Sequence, residues 1–171
     1  TVCPQIWIRG DDRMAMDGDA GAKALNEARP SSDVDIADPA IAEAWAQVTG
    51  SASAQNWMAL GYAAGSKKKL CLLGTGMDGF DGLRPLLVED AVVYSAFQVT
   101  VGEAPRLVFL CSVGEVCGGM VKGRASMHKT DVENALEGTT AGITVTESEE
   151  LASDRIKAAL AKATGAADVR L

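Results

Sequence analysis

Histidine is almost missing from this chain, with one residue, His128, in 171. A single imidazole leaves a zinc centre short of ligands, and any Ser-His-Asp arrangement would have to be built around His128 alone. No strained serine elbow accompanies it. Next to Lys129, it reads as a surface residue. Aromatic side chains make up 5% of the chain, so the core must rest on Val, Leu, Ile, Ala and Met. The cysteines Cys3, Cys71, Cys111 and Cys117 form no C-x-x-C pair. Cys71 and Cys111 sit in apolar, strand-like runs, as buried free thiols of a reducing compartment do. No apolar run reaches the roughly 18–20 residues of a membrane span. No signal peptide is read either, and a cytoplasmic location is expected. Positive charge is in deficit, 16 Lys and Arg against 23 Asp and Glu, for a net charge of −7. That excludes a nucleic-acid binder with a broad basic footprint. A compact basic patch for an acidic partner is still compatible with it.

What is present is one domain's worth of chain with enough apolar residues for a full core. Residues 1–35 are rich in Asp, Gly, Ser and Pro around a short Ile6-Trp7-Ile8 run, and they read as a disordered extension. A brief Ala22–Ala28 stretch has nascent helical character. Order is expected from Asp38, a capping residue followed by Pro39 in the first helical turn and by Glu43 at the positive dipole end. Ile41, Ala44, Trp45 and Val48 fall on one face of that helix. Gln55–Tyr62 and Lys67–Leu73 read as a hairpin around Ala63–Ser66. Phe80–Val88 reads as a weak helix interrupted by Pro85. Ala91–Val101 and Pro105–Ser112 form a second hairpin, and Gly118–Leu136 is helical in two pieces. Ile143–Val145 is a short strand, and a last helix capped by Ser148 turns Leu151, Ile156, Ala159 and Leu160 inward. This order predicts an α/β (α+β) fold, a central mixed sheet of five to six strands with helices on both faces. Residues 36–165 make the domain, and 166–171 a C-terminal tail.

Two motifs invite specific chemistry and fail on context. Gly74-Thr75-Gly76-Met77-Asp78-Gly79 follows an apolar strand as a dinucleotide loop would, yet Gly82 and Pro85 spoil the helix that should hold the pyrophosphate. A nucleotide-binding enzyme built on Gly74–Gly79 stands as the alternative from another class. Asp17-Gly18-Asp19 opens like a calcium loop, but Gly21 and Ala28 stand where further ligands belong. Neither metal nor cofactor is expected. Lys67, Lys68 and Lys69 read as solubilising charges at a strand start, with a weak phosphoinositide contact as their functional reading. Lys122 and Arg124, with Lys129 beyond them, lie near a helix start where cations oppose the dipole. Function explains them better than stability does.

The run Val101–Glu115 resembles the central hairpin of the actin-depolymerising-factor homology domain. Gly119-Met120-Val121-Lys122-Gly123-Arg124-Ala125-Ser126-Met127-His128-Lys129-Thr130 is similar to its coactosin-like branch. Ile143–Val145, Glu149–Leu151 and Ile156–Ala163 extend the likeness, as does Asp38–Val48 for the first helix. The resemblance implies a non-catalytic module, cytoplasmic and cytoskeleton-associated, that binds actin filaments as a monomer. It places actin contacts at Lys122 and Arg124, with Arg106 at the start of the second hairpin strand. Lys129, Lys157 and Lys162 join them more loosely. Ser112 stands where the family usually carries a tryptophan. The helix continuation Asp131–Glu137 is more acidic than in severing cofilins, which favours filament binding over severing. The same fold serving as a scaffold for a non-actin partner is the remaining alternative.

Overall fold

Two ten-residue strands, β3 (Val92–Val101) and β4 (Ala104–Val113), pair antiparallel over their whole length, from Val92 opposite Val113 to Val101 opposite Ala104. The reversal needs two residues. Gly102 takes the first with φ +64 and Glu103 the second with negative φ, the pattern of a type II′ hairpin turn. The computed structural model describes residues 34–50 and 53–171. Residues 1–33 of the expected extension, with Ile6–Ile8, Asp17–Asp19, Ala22–Ala28 and Cys3, lie outside the described residues. Its last two residues are not disordered. Val34 packs on the core, and Asp35 bridges Lys69 in parallel, its N–H donating to the Lys68 carbonyl and its carbonyl accepting the Leu70 N–H.

Around this pair the sheet runs β2-β1-β3-β4-β5. β1 (Trp57–Tyr62) lies antiparallel to both β2 (Leu70–Gly76) and β3, while β5 (Thr139–Val145) is parallel to β4. The last residues of β3 lie beyond the reach of β1, and β6 (Val169–Arg170) pairs with them at Thr100 and Val101. Residues 166–171, expected as a tail, thus contribute a sixth strand. The mixed sheet between helices is as the sequence predicts.

Strand alternation divides the core in two. Met58, Leu60, Tyr94, Ala96, Phe109 and Cys111 face one side, which α1 (Pro39–Thr49) and α3 (Gly119–Ala135) cover. Trp57, Ala59, Val93, Phe97, Val108 and Leu110 face the other, under α2 (Gly79–Leu83) and α4 (Ser153–Thr164). Because both faces are buried, β1 reads as a near-continuous apolar run instead of an alternating one.

Helix α1 matches its sequence signals closely. The Asp38 carboxylate accepts the Ala40 N–H at 3.2 Å, Pro39 opens the helix, and Ile41, Ala44, Trp45 and Val48 are its buried residues. Glu43 falls beyond the first turn, too far along to serve the dipole end. Three further expectations need correction. Helix α3 is one continuous 17-residue helix, because Ala125, His128 and Val132 repeat at helical spacing through the exposed Gly123. Lys67 and Lys68 precede β2 in a bend and Lys69 bridges Asp35, and the Ser66 hydroxyl accepts from the Lys68 and Lys69 N–H groups. The strand instead continues through Gly76. Ser148 does not cap the last helix. It begins a short 3-10 turn whose capping box pairs Glu147 with Glu150, and its hydroxyl lies 3.2 Å from both the Glu89 and Glu115 carboxylates.

Asp38 is fully buried, and desolvation pushes its carboxyl above the ordinary range despite the Ala40 N–H and the charge of Lys69. A raised folded-state value means stability present below about pH 3.8 and lost as pH rises through the folded value. At neutral pH the ionised group therefore burdens the fold. Asp38→Asn keeps the capping oxygen without that charge and is expected to hold or raise the thermal midpoint at pH 7, with the gain shrinking as pH falls. Asp38→Ala loses the cap and should cost about 1 kcal/mol. Thermal melts of both variants between pH 3 and 8 check this.

Candidate functional site

The glycine-rich run proves to be the seat of Trp57. A Cβ on Gly76 would lie 2.8 Å from Trp57 Nε1, and one on Gly82 2.7 Å from the same atom. Only glycine lets the indole lie between the end of β2 and the short helix α2. The Gly79 N–H, the first helical donor, already goes to Asn56 Oδ1 at 2.9 Å. Gly74 and Gly76 are strand residues of β2, not a loop over a helix start. The spacing that resembles a dinucleotide fingerprint is thus explained by packing.

Helix α3 is different, because its outward face has no packing explanation. Met120 is 85% exposed and Met127 74%, and Val116, just before the helix, is 70% exposed. At about 100° per residue, Met120, Gly123 and Met127 crown one ridge opposite the buried stripe of Ala125, His128 and Val132. Arg124 falls beside that ridge, about 40° from Met120. Lys122 and Lys129 lie about 160° and about 180° from Met120, along the far border of the buried stripe next to Ala125. The two cations expected as a cluster are therefore on opposite sides of the helix, and only Arg124 adjoins the apolar ridge. Lys122 reaches back to the Glu115 backbone carbonyl at 2.9 Å, which ties the loop after β4 to the first helical turn. Arg124 lies close enough to Tyr62 and Tyr94 for its charge to act on both phenols, and Lys129 acts likewise on Cys111. Sequence reasoning missed the methionines because Met is scored as core. Their seven-residue spacing around a glycine was the available signal.

The other expected residues are not gathered here. Arg106 is exposed at the start of β4, opposite Val99. Seven residues of strand separate it from Val113, about 23 Å at 3.3 Å per residue. It stands at the level where α3 ends and β5 begins, because Leu107 pairs with Thr139. Lys157 and the exposed Lys162 belong to α4, on the opposite face of the sheet.

Beneath the ridge the floor is polar in one place. His128, expected at the surface, is 3% exposed, and its Nδ1 lies 2.9 Å from the Tyr62 hydroxyl. That hydroxyl lies 3.0 Å from the Tyr94 hydroxyl, which donates to the Ala125 carbonyl at 3.1 Å. The spacing of His128 from Ala125 and Val132 turns it inward, whatever its polarity. Burial raises both phenols above the ordinary tyrosine range, so they stay protonated and able to donate. Burial also pushes the Cys111 thiol up to about 12, which leaves it an inert packing group. Cys71 and Cys117 are free as well.

A six-stranded mixed sheet between two helix layers, with the long helix following the second central strand, is the fold of the actin-depolymerising-factor homology domain. The sequence profile of the cofilin/tropomyosin-type actin-binding proteins matches residues 33–161, and the chain belongs to that family. It is 25% identical over 133 residues to a drebrin-like protein of Dictyostelium discoideum, and 28% identical over 130 residues to one of Mus musculus. Those stretches are 78% and 75% of this chain but only 28% and 30% of the relatives. The chain thus spans less than a third of the curated relatives it matches. Among solved structures, human coactosin-like protein superposes with a TM-score of 0.65 at 21% identity, covering 82% of this chain and 95% of that one. Coactosin from Entamoeba histolytica gives 0.64 at 20% identity, covering 74% and 94%. At such identities the likeness is one of fold.

Gly82→Ala, and independently Gly76→Ala, should lower stability by about 1–3 kcal/mol through overpacking against the indole. Denaturant titration with tryptophan emission reads both the midpoint and the ring's surroundings. Unchanged midpoints would return the glycines to a functional role.

Proposed function

We propose that this chain is a non-catalytic actin-binding domain that docks on actin filaments through the ridge and flanks of α3, in the cytoplasm and with the cytoskeleton. The observation that carries the proposal is the pairing of exposed Met120 and Met127 with Arg124 beside them, on a helix that carries Lys122 and Lys129 along its other border. Methionine and arginine are enriched at interface centres, and Lys122 in the first turn opposes the helix dipole. Membership of an actin-binding family supports the partner. The filament as the form bound is supported by the mouse coactosin of like fold, described as an actin filament binding protein. The net charge of −7 makes the α3 cations a local exception that would steer toward an acidic surface. Arg106, Lys157 and Lys162 are peripheral in this geometry, and Lys67–Lys69 are a secondary surface for anionic lipid headgroups.

Co-sedimentation with actin filaments tests the proposal. The wild type should pellet with filaments, less so as salt rises, since charges more than about 8–10 Å apart are screened near physiological ionic strength. Lys122→Glu with Arg124→Glu should weaken binding on the order of tenfold to a hundredfold while the thermal midpoint stays near the parent. Met120→Gln with Met127→Gln should weaken it too, but leave the salt dependence intact. Arg106→Glu should bind as the wild type does. A Lys122/Arg124 variant that pellets at wild-type levels would refute this face.

A further inference from the structure

The half of α3 that carries the proposed contact is the half with least to hold it. Its N-cap is Gly118, which offers no side-chain oxygen, and no acid stands in the first turn. Lys122 opposes the dipole, and Gly123 inside the helix is a weaker helix former than alanine. None of residues 119–124 is fully buried. Besides the packing of Val121 and the small, fully buried Ala125 and the Lys122 tie to Glu115, this half is fixed to the sheet by the polar group beneath it.

That group has only one arrangement in which all three of its hydrogen bonds form. The Ala125 carbonyl can only accept, so the single Tyr94 proton goes to it. Tyr94 must then accept from Tyr62, whose own proton is thereby spent. The Tyr62 oxygen must accept from His128 in turn, so the histidine carries its proton on Nδ1. The relay runs one way, from His128 through Tyr62 and Tyr94 to Ala125. It leaves α3, crosses β1 and β3, and returns to α3 one turn earlier. Tyr94 is fully buried, Tyr62 half-buried and Ala125 fully buried, a setting in which aligned hydrogen bonds polarise one another. The Tyr62 and Tyr94 rings meet edge to face with centroids 6.1 Å apart, and the Tyr62 and His128 rings are 5.9 Å apart.

We infer that His128 is a positioning residue for the binding face: as the first donor of this relay it sets the rotation and stiffness of the N-terminal half of α3. Clamped at both 125 and 128, that half turns Met120 and Met127 outward and holds Lys122 and Arg124 on opposite flanks. The binding role rests on the actin reading above, whereas the relay itself does not. Any residue that offers an N–H at the same place can start the relay. Asparagine does so and leucine does not. Phenylalanine at position 62 removes the middle link and leaves His128 in place.

The experiment compares wild type, Tyr62→Phe, His128→Leu and His128→Asn by filament co-sedimentation and by amide hydrogen exchange. Tyr62→Phe and His128→Leu should weaken filament binding roughly fivefold or more and speed exchange chiefly at amides 121–128. His128→Asn should restore both to within about twofold of wild type, a rescue that a purely space-filling role would not give to the smaller, polar side chain. Variants that melt lower yet bind filaments as tightly as wild type overturn the positioning role. Exchange that rises evenly across the domain, or an asparagine variant no better than leucine, overturns it as well. If the wild type itself fails to pellet, the actin reading falls, and the exchange pattern alone decides whether the relay positions α3. Should His128→Leu not fold, Tyr62→Phe against wild type carries the same comparison.

Discussion

The structure depends on the full-length pairing of β3 with β4. Ten residues of each strand are held in register by a two-residue turn that needs glycine at its first position, and nearly all of β3 is buried. Strands with both faces buried demand cover on both sides, and the rest of the chain supplies it. Helices α1 and α3 cover one face and α2 and α4 the other, while β1 and β6 share one edge of β3. The parallel β5 follows, because the chain must cross over through α3 before it can lie beside β4 in the same direction. The helix that forms the proposed site is therefore also the crossover that the topology requires.

This double duty explains why α3 looks poorly built as a helix. A crossover helix needs only a narrow buried stripe, and Ala125, His128 and Val132 provide it. The remaining surface is free to carry exposed methionines, an uncapped start and a cation in the first turn. The last two cost helix stability, and with the methionines they leave a surface whose composition suits an interface better than solvent. The buried tyrosine–histidine relay offsets part of that cost where apolar packing is thinnest.

Much of this was legible in the chain. Asp38-Pro39 and the Ile41, Ala44, Trp45, Val48 spacing define α1, and the long β-rich runs on either side of Gly102 define the central hairpin. The placing of Lys122 and Arg124 on the long helix was legible too. What escaped depends on contacts between distant segments. Gly74–Gly76 is strand because Trp57–Ala59 pairs with it, and its glycines serve a ring 17 to 19 residues earlier in the sequence. The spacing from Ala125 and Val132 turns His128 inward, but the hydroxyls that satisfy it there come from Tyr62 and Tyr94 on two distant strands. Arg106 belongs to the other end of the sheet, which no local pattern announces. Ser148 joins two carboxylates from other loops in place of capping the helix that follows.

The central claim is that one end of the domain, the start of α3, meets the filament. Hydrogen exchange on the protein with and without saturating actin filaments tests it most directly. The account predicts that filament binding slows exchange at residues 115–129 and leaves the β3–β4 turn, Arg106 and the Gly74–Gly82 region unchanged. Protection at those other sites, with none along α3, would contradict it.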